Sequence, residues 1–344
     1  ISPGYRRCLM NRPDAYSLRR DFLLGNASAP IYALEDAAAL SHCECAVAIG
    51  AFDGVHRGHR HLIDQMVADA HERGVAAIAV TFDPDPDTVV SATPAPKLTL
   101  VSDRLRLLAS SGVDAVCVVP FDSALASMDH DAFFTRVLLP VLDIRAVHVG
   151  SNFRLGYRGA SDVDVIRDWA QTRGIEVFGH ELVYEDSDAV SATRIRSLIA
   201  SGSMEMAAAE LGRTYAVRGH VARGRGEGHK MGFPTANVVV DLSILAPQEG
   251  VYAGFACPGE EAWPAAINVG LPPTFKGVPG SAKLEANIVG FSADIYERDI
   301  ALSFTKQLRR SRPFDSLEEL IATVEGNIQD VRDLYGEGRY DLRA

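Results

Sequence analysis

The stretch "AVAIGAFDGVHRGHRHLIDQMVADAHERG", residues 46–74, decides how the first half of this chain folds. It opens with a short apolar run ending at Gly50. Leu62, Ile63, Met66, Val67 and Ala70 then recur at helical spacing, and Gly74 is a stop signal. A strand that runs through a glycine turn straight into a helix offers free amides and the positive end of the helix dipole to an anion. His56 and His59 flank Gly58 on the first helical turn, where two imidazoles can donate hydrogen bonds to a phosphate as its charge redistributes. A histidine on a helix is more often a surface or satisfied core residue. A His-x-x-His pair can also hold a metal, but only with further ligands. The strand end, Phe52, Asp53 and the glycines favour nucleotide chemistry.

Outward from this unit the pattern repeats. "VAAIAVTF" (75–82), "VDAVCVV" (113–119), "AVHVG" (146–150) and "IEVFG" (175–179) are predicted strands. Predicted helices separate them, from Ser102, through "DAFFTRVLLPVL", and near 163–173. Apolar strands alternating with amphipathic helices make an α/β unit, a parallel sheet covered on both faces. Ligands bind at the carboxyl ends of such strands. "VGSNFRLGYRGASD" (149–162) adds Asn152 and Arg154 at that edge, and "VSATRIRSLI" (190–199) adds Ser191, Thr193 and Arg196 at a helix start. Hydroxyls and guanidinium groups there suit terminal phosphates, although Ser191 and Thr193 also serve as ordinary N-caps.

Beyond about residue 205, short alternating segments split by Gly, Pro and Asn predict an antiparallel sheet or small barrel. A closing helix carries Leu317, Leu320, Ile321, Val324, Ile328, Val331 and Leu334 as one stripe, with a capping box at Asp315-Ser316 and Glu318-Glu319. The expected organisation is a loose extension over 1–30, a first domain over 31–203 and a second over 204–344.

The whole chain sets limits on these readings. Its 344 residues suit two domains, and 47% hydrophobic with 23% charged residues is ordinary for a globular protein. No apolar run reaches 18 residues and the N-terminus lacks the apolar centre of a secretory signal, so neither a membrane span nor secretion is expected. Five scattered cysteines predict a reducing cytoplasm. "HCEC" (42–45) lacks the further ligands that structural zinc needs. The net charge of −11 argues against nucleic acid as a partner, while local amides and a few cations can still hold a phosphate.

"GRGEGHKMGFPTANV" (224–238) is the strongest local signal. Gly224, Gly226, Gly228 and Gly232 suit a loop that closes over phosphates better than a strand. "FPTAN" reads as a rigid turn at Pro234 presenting Thr235 and Asn237, oxygen ligands suited to Mg²⁺ and phosphate.

Together "GAFDGVHRGH", "TFDPDP", "VGSNFRLG" and "VSATRIR" resemble the adenylyltransferase module of prokaryotic bifunctional riboflavin kinase/FAD synthetases, over about residues 40–202. The His-x-Gly-His element alone belongs to a wider nucleotidyltransferase group; the ordered set of four is more specific. "FPTAN", "NVGLPPTF" (268–275), "KLEANIVGF" (283–291) and "LRRSRPFDSLEEL" (308–320) resemble the riboflavin kinase domain over about 205–340. The resemblance implies a Rossmann-like nucleotidyltransferase followed by a six-stranded barrel with a terminal helix. It implies that Gly50, Phe52, Asp53, Gly58, Asn152, Arg154, Ser191, Thr193 and Arg196 bind one nucleotide, with His56 and His59 catalytic. It implies that the glycine loop, Pro234, Thr235 and Asn237 bind a second nucleotide with Mg²⁺. Glu285 then falls on the catalytic carboxylate, and Asn268, Thr274, Phe275 and Arg309 on the flavin site. The implied reactions are ATP-dependent phosphorylation of riboflavin to FMN, then adenylylation of FMN to FAD with release of pyrophosphate. Departures at Ala51, Asn152, Ala192 and the 156–162 loop leave a second reading: a kinase joined to a weak or regulatory flavin- and ATP-binding first domain.

Overall fold

The computed structural model describes residues 13–22, 29–40, 43–185, 187–223, 233–270 and 283–343. The chain divides into two compact units. One holds Asn26–Ser197 with Glu210–Gly212; the other holds the described part of Ile1–Gly25, Leu198–Ala209 and Arg213–Ala344. Helix α1 (Ala15–Asp21) therefore belongs with the second unit although it precedes the first in sequence.

In the first unit the chain order is β1 (Ile31–Ala33), β2 (Glu44–Ile49), α2 (Arg57–Arg73), β3 (Ala76–Asp83), α3 (Pro86–Val90), α4 (Val101–Ala109), β4 (Ala115–Pro120), α5 (Ser123–Ala126), α6 (His130–Phe133), β5 (Asp143–Gly150), α7 (Val163–Gln171) and β6 (Glu176–His180). A small hairpin, β7 (Tyr184–Glu185) with β8 (Asp188–Ala189), leads into α8 (Ala192–Ala200). Six strands form one parallel sheet in the order β1-β4-β3-β2-β5-β6. Val47, Ile49, Ile78, Val80, Cys117, Val119, Val147 and Val149 alternate into one side of it and are buried against Phe133, Phe134 and Ile166. Succession runs outward from β2 through β3 to β4, then restarts on the other side with β5 and β6. A crevice opens where the order reverses, at the carboxyl ends of β2 and β5. The predicted strands and helices all appear. β1, too short for periodicity to reveal, is an addition, and the expected helix after Asp131 winds as a π-helix over Phe134–Leu138.

The second unit contains α9 (Met204–Leu211) up to Ala209, β9 (Tyr215–Ala222), β10 (Ala236–Val240), β11 (Gly250–Cys257), β12 (Glu261–Gly270), β13 (Lys283–Ile288), β14 (Asp299–Arg310), α10 (Leu317–Tyr335) and β15 (Tyr340–Asp341). Six antiparallel strands close in the ring β11-β14-β9-β10-β13-β12, and β15 adds to β12. Tyr252, Ile267, Leu284, Ala286 and Leu302 are fully buried in alternation with Ala253, Phe255, Ala266 and Ala301, which pack under Ile328, Val331 and Tyr335 of α10. Ser316 caps α10 by accepting the Glu319 amide at 3.1 Å, while the Glu319 carboxylate takes the Asp315 amide at 2.9 Å. The capping box is thus present, closed one residue early.

The expected loose extension differs most from what is found. Asp14 caps α1 by accepting the Ser17 amide at 2.7 Å. Leu18 and Phe22 are each 1% exposed and belong to the cluster beneath α10, and Arg218 donates to the Phe22 carbonyl. The two apolar side chains lie four apart, on one helical face, and among the described residues this distant cluster covers them.

Candidate functional site

A cavity of about 1010 Å³ opens at the sheet's carboxyl edge in the first unit. Gly50, Phe52, Asp53, His56, Gly58, His59, Asn152, Arg154, Ser191 and Arg196 all line it. Thr193 lies outside this lining, exposed on α8.

Backbone geometry places the two histidines. Phe52, Gly54 and Val55 adopt positive φ values of 54°, 78° and 38°, which bend the chain sharply between β2 and α2. Val55 is β-branched, and its left-handed conformation is the kind of strain that clusters at ligand sites. His56 occupies the N-cap of α2, and its Nδ1 accepts the His59 amide at 3.4 Å. The two rings stack with centroids 3.6 Å apart, and Phe52 meets His59 edge-on at 5.2 Å. A Cβ on Gly58 would lie 3.1 Å from His56 Cε1, so glycine lets that ring lie back over the turn. Burial first, then the charges of His56 and Arg104, hold the His59 pKa well below its usual value. His59 is therefore neutral at pH 7, and its buried Nδ1 has no hydrogen-bond partner among the described residues.

Asp53 serves the cavity as a brace. Only 7% exposed, it accepts the amides of Leu98 at 3.0 Å and Thr99 at 3.3 Å and the Arg196 guanidinium at 2.6 Å. Burial raises its pKa, and the Arg196 charge and Leu98 amide pull it back. Arg196 also donates to the Pro96 carbonyl at 2.7 Å, so α8, the turn after β2 and the segment before α4 are tied together. A second network lies beside it. Arg104, 1% exposed, pairs with Asp85 and donates to the Phe82 carbonyl at 2.6 Å; Lys97 pairs with Asp87 and, at 3.4 Å, with Asp85. Asp85, Asp87 and Lys97 line the cavity, yet sequence reasoning chose none of them as site residues. Asp85 in "TFDPDP" (81–86) and Asp87 just after it were the available signal; their cationic partners, Arg104 and Lys97, 19 and 10 positions on, were not. At the rim Arg154 reaches Asp162 at 3.3 Å, and Ser191 accepts the Arg194 amide at 3.2 Å, the local cap expected of it.

In the barrel, register assembles what sequence left scattered. Asn237 on β10 stands opposite Glu285 on β13, and Glu285 stands opposite Asn268 on β12. The row continues through Val251 to Arg309. Leu284 and Ala286 are buried on the inner side of β13, so the half-buried Glu285 takes the opposite face, between two amide side chains. Arg309 donates to Asn327 Oδ1 of α10 at 3.3 Å and lies over Phe314 at 5.4 Å. Burial, then the charge of Arg312, lowers its pKa from the usual arginine value. The rigid turn expected over "FPTAN" is shorter than read: Ala236 and Asn237 already belong to β10, and Asn287 holds the Pro234 carbonyl at 3.0 Å. Pairing with Glu285 and Ala222 on both sides makes this segment a strand. Gly224, Gly226, Gly228, Gly232, Thr274 and Phe275 lie outside the described residues.

An anion-adapted crevice at a sheet's switch point, and a barrel carrying a carboxylate between amides, define a two-site transferase. Family models agree with that division: FAD synthetase matches residues 39–194 and riboflavin kinase matches 211–335. The bifunctional riboflavin kinase/FMN adenylyltransferase of Escherichia coli K12 is 31% identical over 294 residues, 85% of this chain and 93% of that protein. The Bacillus subtilis protein of the same description is 29% identical over 287 residues, covering 83% and 90%. In fold, the chain resembles a crystal structure of a macrolide-efflux protein from Streptococcus pneumoniae. That match has a TM-score of 0.79 at 24% identity, over 88% of this chain and 99% of the other. Among the described residues no helix is long and apolar enough to cross a membrane. The chain belongs to the bifunctional riboflavin kinase/FMN adenylyltransferase family and carries both of its enzymatic domains.

Proposed function

We propose that the barrel phosphorylates riboflavin to FMN with ATP, and that the first unit adenylylates FMN to FAD with a second ATP. The observation that carries this reading is the pairing of the stacked His56–His59 site on one unit with the Asn237–Glu285–Asn268 row on the other. In the barrel, Glu285 orients the riboflavin 5′-hydroxyl and takes its proton as oxygen attacks the γ-phosphorus. Hard oxygen donors at Thr235 and Asn237, one of them in register with the carboxylate, fit a magnesium ion, which when bound neutralises charge on the ATP phosphates. Asn268 and Arg309, on the same row, contact the flavin; the glycine loop, Thr274 and Phe275 complete the site.

In the first unit an FMN phosphate oxygen attacks the α-phosphorus of ATP. A new P–O bond forms, the α–β bridging bond breaks, and pyrophosphate leaves with the electron pair. His56, neutral His59 and the amides at the start of α2 donate to the oxygens that gain charge, with Gly50 and Gly58 allowing close approach. Asn152, Arg154 and Ser191 bind the nucleotide at the rim. Arg196 and Asp53 hold the phosphate side of the cavity. The free thiols Cys43, Cys45, Cys117 and Cys257 support a reducing, cytoplasmic setting. The test is to supply riboflavin, ATP and Mg²⁺ and separate the products: FMN should appear first and FAD second. Absence of FMN would overturn the kinase assignment. FMN formation without pyrophosphate release from ATP, even when FMN is added as acceptor, would instead favour a regulatory first unit.

A further inference from the structure

Three side chains beneath the cavity play no part in the mechanism above. Asp69 of α2, already paired with Arg73 at 2.8 Å, lies 3.0 Å from His148 Nε2. His148, on β5 and 2% exposed, has its Nδ1 2.9 Å from His180 Nε2. His180 ends β6 and lines the cavity, and its ring stacks on His148 with centroids 5.1 Å apart. The carboxylate can only accept, so His148 donates from Nε2 and, when neutral, accepts at Nδ1. His180 must then donate from Nε2, which leaves its own Nδ1 without a proton. That nitrogen makes no hydrogen bond among the described residues. Burial lowers the His148 pKa against the raising effect of Asp69, and burial with the charges of His148 and His61 lowers that of His180. Both rings are therefore neutral near pH 7, as the assignment requires.

Resting on adenylyl transfer in the first unit, we propose that His180 is a specificity-determining residue whose Nδ1, fixed as an acceptor by the Asp69–His148 relay, reads the exocyclic amine of the ATP base. β6 is separated from β2 by β5 alone, so about 10 Å divides its end from the phosphate-binding turn. A nucleotide with its phosphates at His56 and His59 spans that distance. A 6-oxopurine would bring a carbonyl oxygen against the same lone pair, so the site selects a donor and rejects an acceptor.

Pyrophosphate release with FMN as acceptor gives kcat/KM for ATP and for inosine triphosphate without involving the kinase. The wild type should prefer ATP by about tenfold or more, and H180F, which keeps the ring stack but not the acceptor, should narrow this below about twofold. H148L removes the acceptor facing His180 Nε2, so the proton moves to Nδ1. The preference should fall there too, and histidine ¹⁵N spectra should show a protonated Nδ1, a readout that loss of packing alone does not produce. An unchanged ATP preference in folded H180F overturns the proposal. If H180F does not fold, wild-type ¹⁵N spectra decide: α,β-methylene-ATP must shift the His180 Nδ1 resonance and the inosine analogue must not. Failure of the wild type to release pyrophosphate from either nucleotide would instead refute the adenylyltransferase reading beneath it.

Discussion

Asp53→Asn separates the bracing role of this residue from direct ligand contact. Asparagine has nearly the same volume, and its carbonyl oxygen can keep the Leu98 and Thr99 amides now bound by Oδ1. Its amide nitrogen would then stand where Oδ2 receives Arg196 at 2.6 Å, so two donors would face each other. Leaving such a pair unsatisfied costs about 1–3 kcal/mol. The net loss belongs at the low end for two reasons. Arg196 is partly exposed and can turn toward the cavity while keeping Pro96, and removing a buried charge relieves the desolvation that raises the Asp53 pKa. About 1 kcal/mol corresponds to a fall of about 2–4 °C in the melting temperature of a unit of this size. Catalysis should suffer more, because the phosphate side of the cavity loses its fixed guanidinium: kcat/KM for FAD formation from FMN should drop about 10–100-fold. Riboflavin phosphorylation should stay within about twofold. Calorimetry, a pyrophosphate-release assay and a kinase assay on one preparation check all three. FAD formation within about twofold of wild type, or equal loss of both activities, would refute the bracing argument.

Glu285→Gln keeps the row on β10, β13 and β12 but removes the proton acceptor, so FMN formation should fall at least about 100-fold while FMN-to-FAD conversion persists. His59→Ala should do the reverse, reducing FAD formation about 100–1,000-fold and sparing the kinase. Phe22→Ala, emptying a site that is 1% exposed, should destabilise the second unit by about 3–5 kcal/mol, read by denaturant unfolding. Acid should weaken the first unit. His59, His148 and His180 all have folded pKa values below 6.5, so the unfolded chain binds more protons and stability falls as pH drops through 6.5. His220, raised by Glu297 and Asp299, works in the opposite sense on the second unit, its contribution being lost as pH rises through the raised value. Calorimetry from pH 7.5 to 5.5 should therefore move the first unit's transition down more than the second's.

Local pattern carried the sheet, because strand and helix periods are written in neighbouring residues, and it carried His56 and His59, because the turn, cap and ring stack lie within eight positions. What depends on pairing across the chain was not legible. Asn237, Glu285 and Asn268 could each be chosen, but only register makes them neighbours. Asp53 looked like a ligand because its partners, Leu98 and Arg196, lie 45 and 143 positions away. The Asp69–His148–His180 relay had no signal at all, since β5 and β6 alone bring its histidines together. Likewise α1 is a short helix whose apolar face packs on a cluster roughly 190 residues and more away, so composition assigned it to an extension.

Helix α1 gives the second unit an unusual history. That unit's first described piece is synthesised before the first unit, yet the sheet that buries Phe22 follows it by roughly 190 residues, about 10–40 s at ordinary elongation rates. Leu18 and Phe22 must remain uncovered while the whole first unit emerges and folds. The first unit is, in effect, an insertion within the second. A fragment cut near residue 205 to isolate the barrel would keep every strand and lose two core side chains, so its stability should be restored by a peptide carrying residues 13–22.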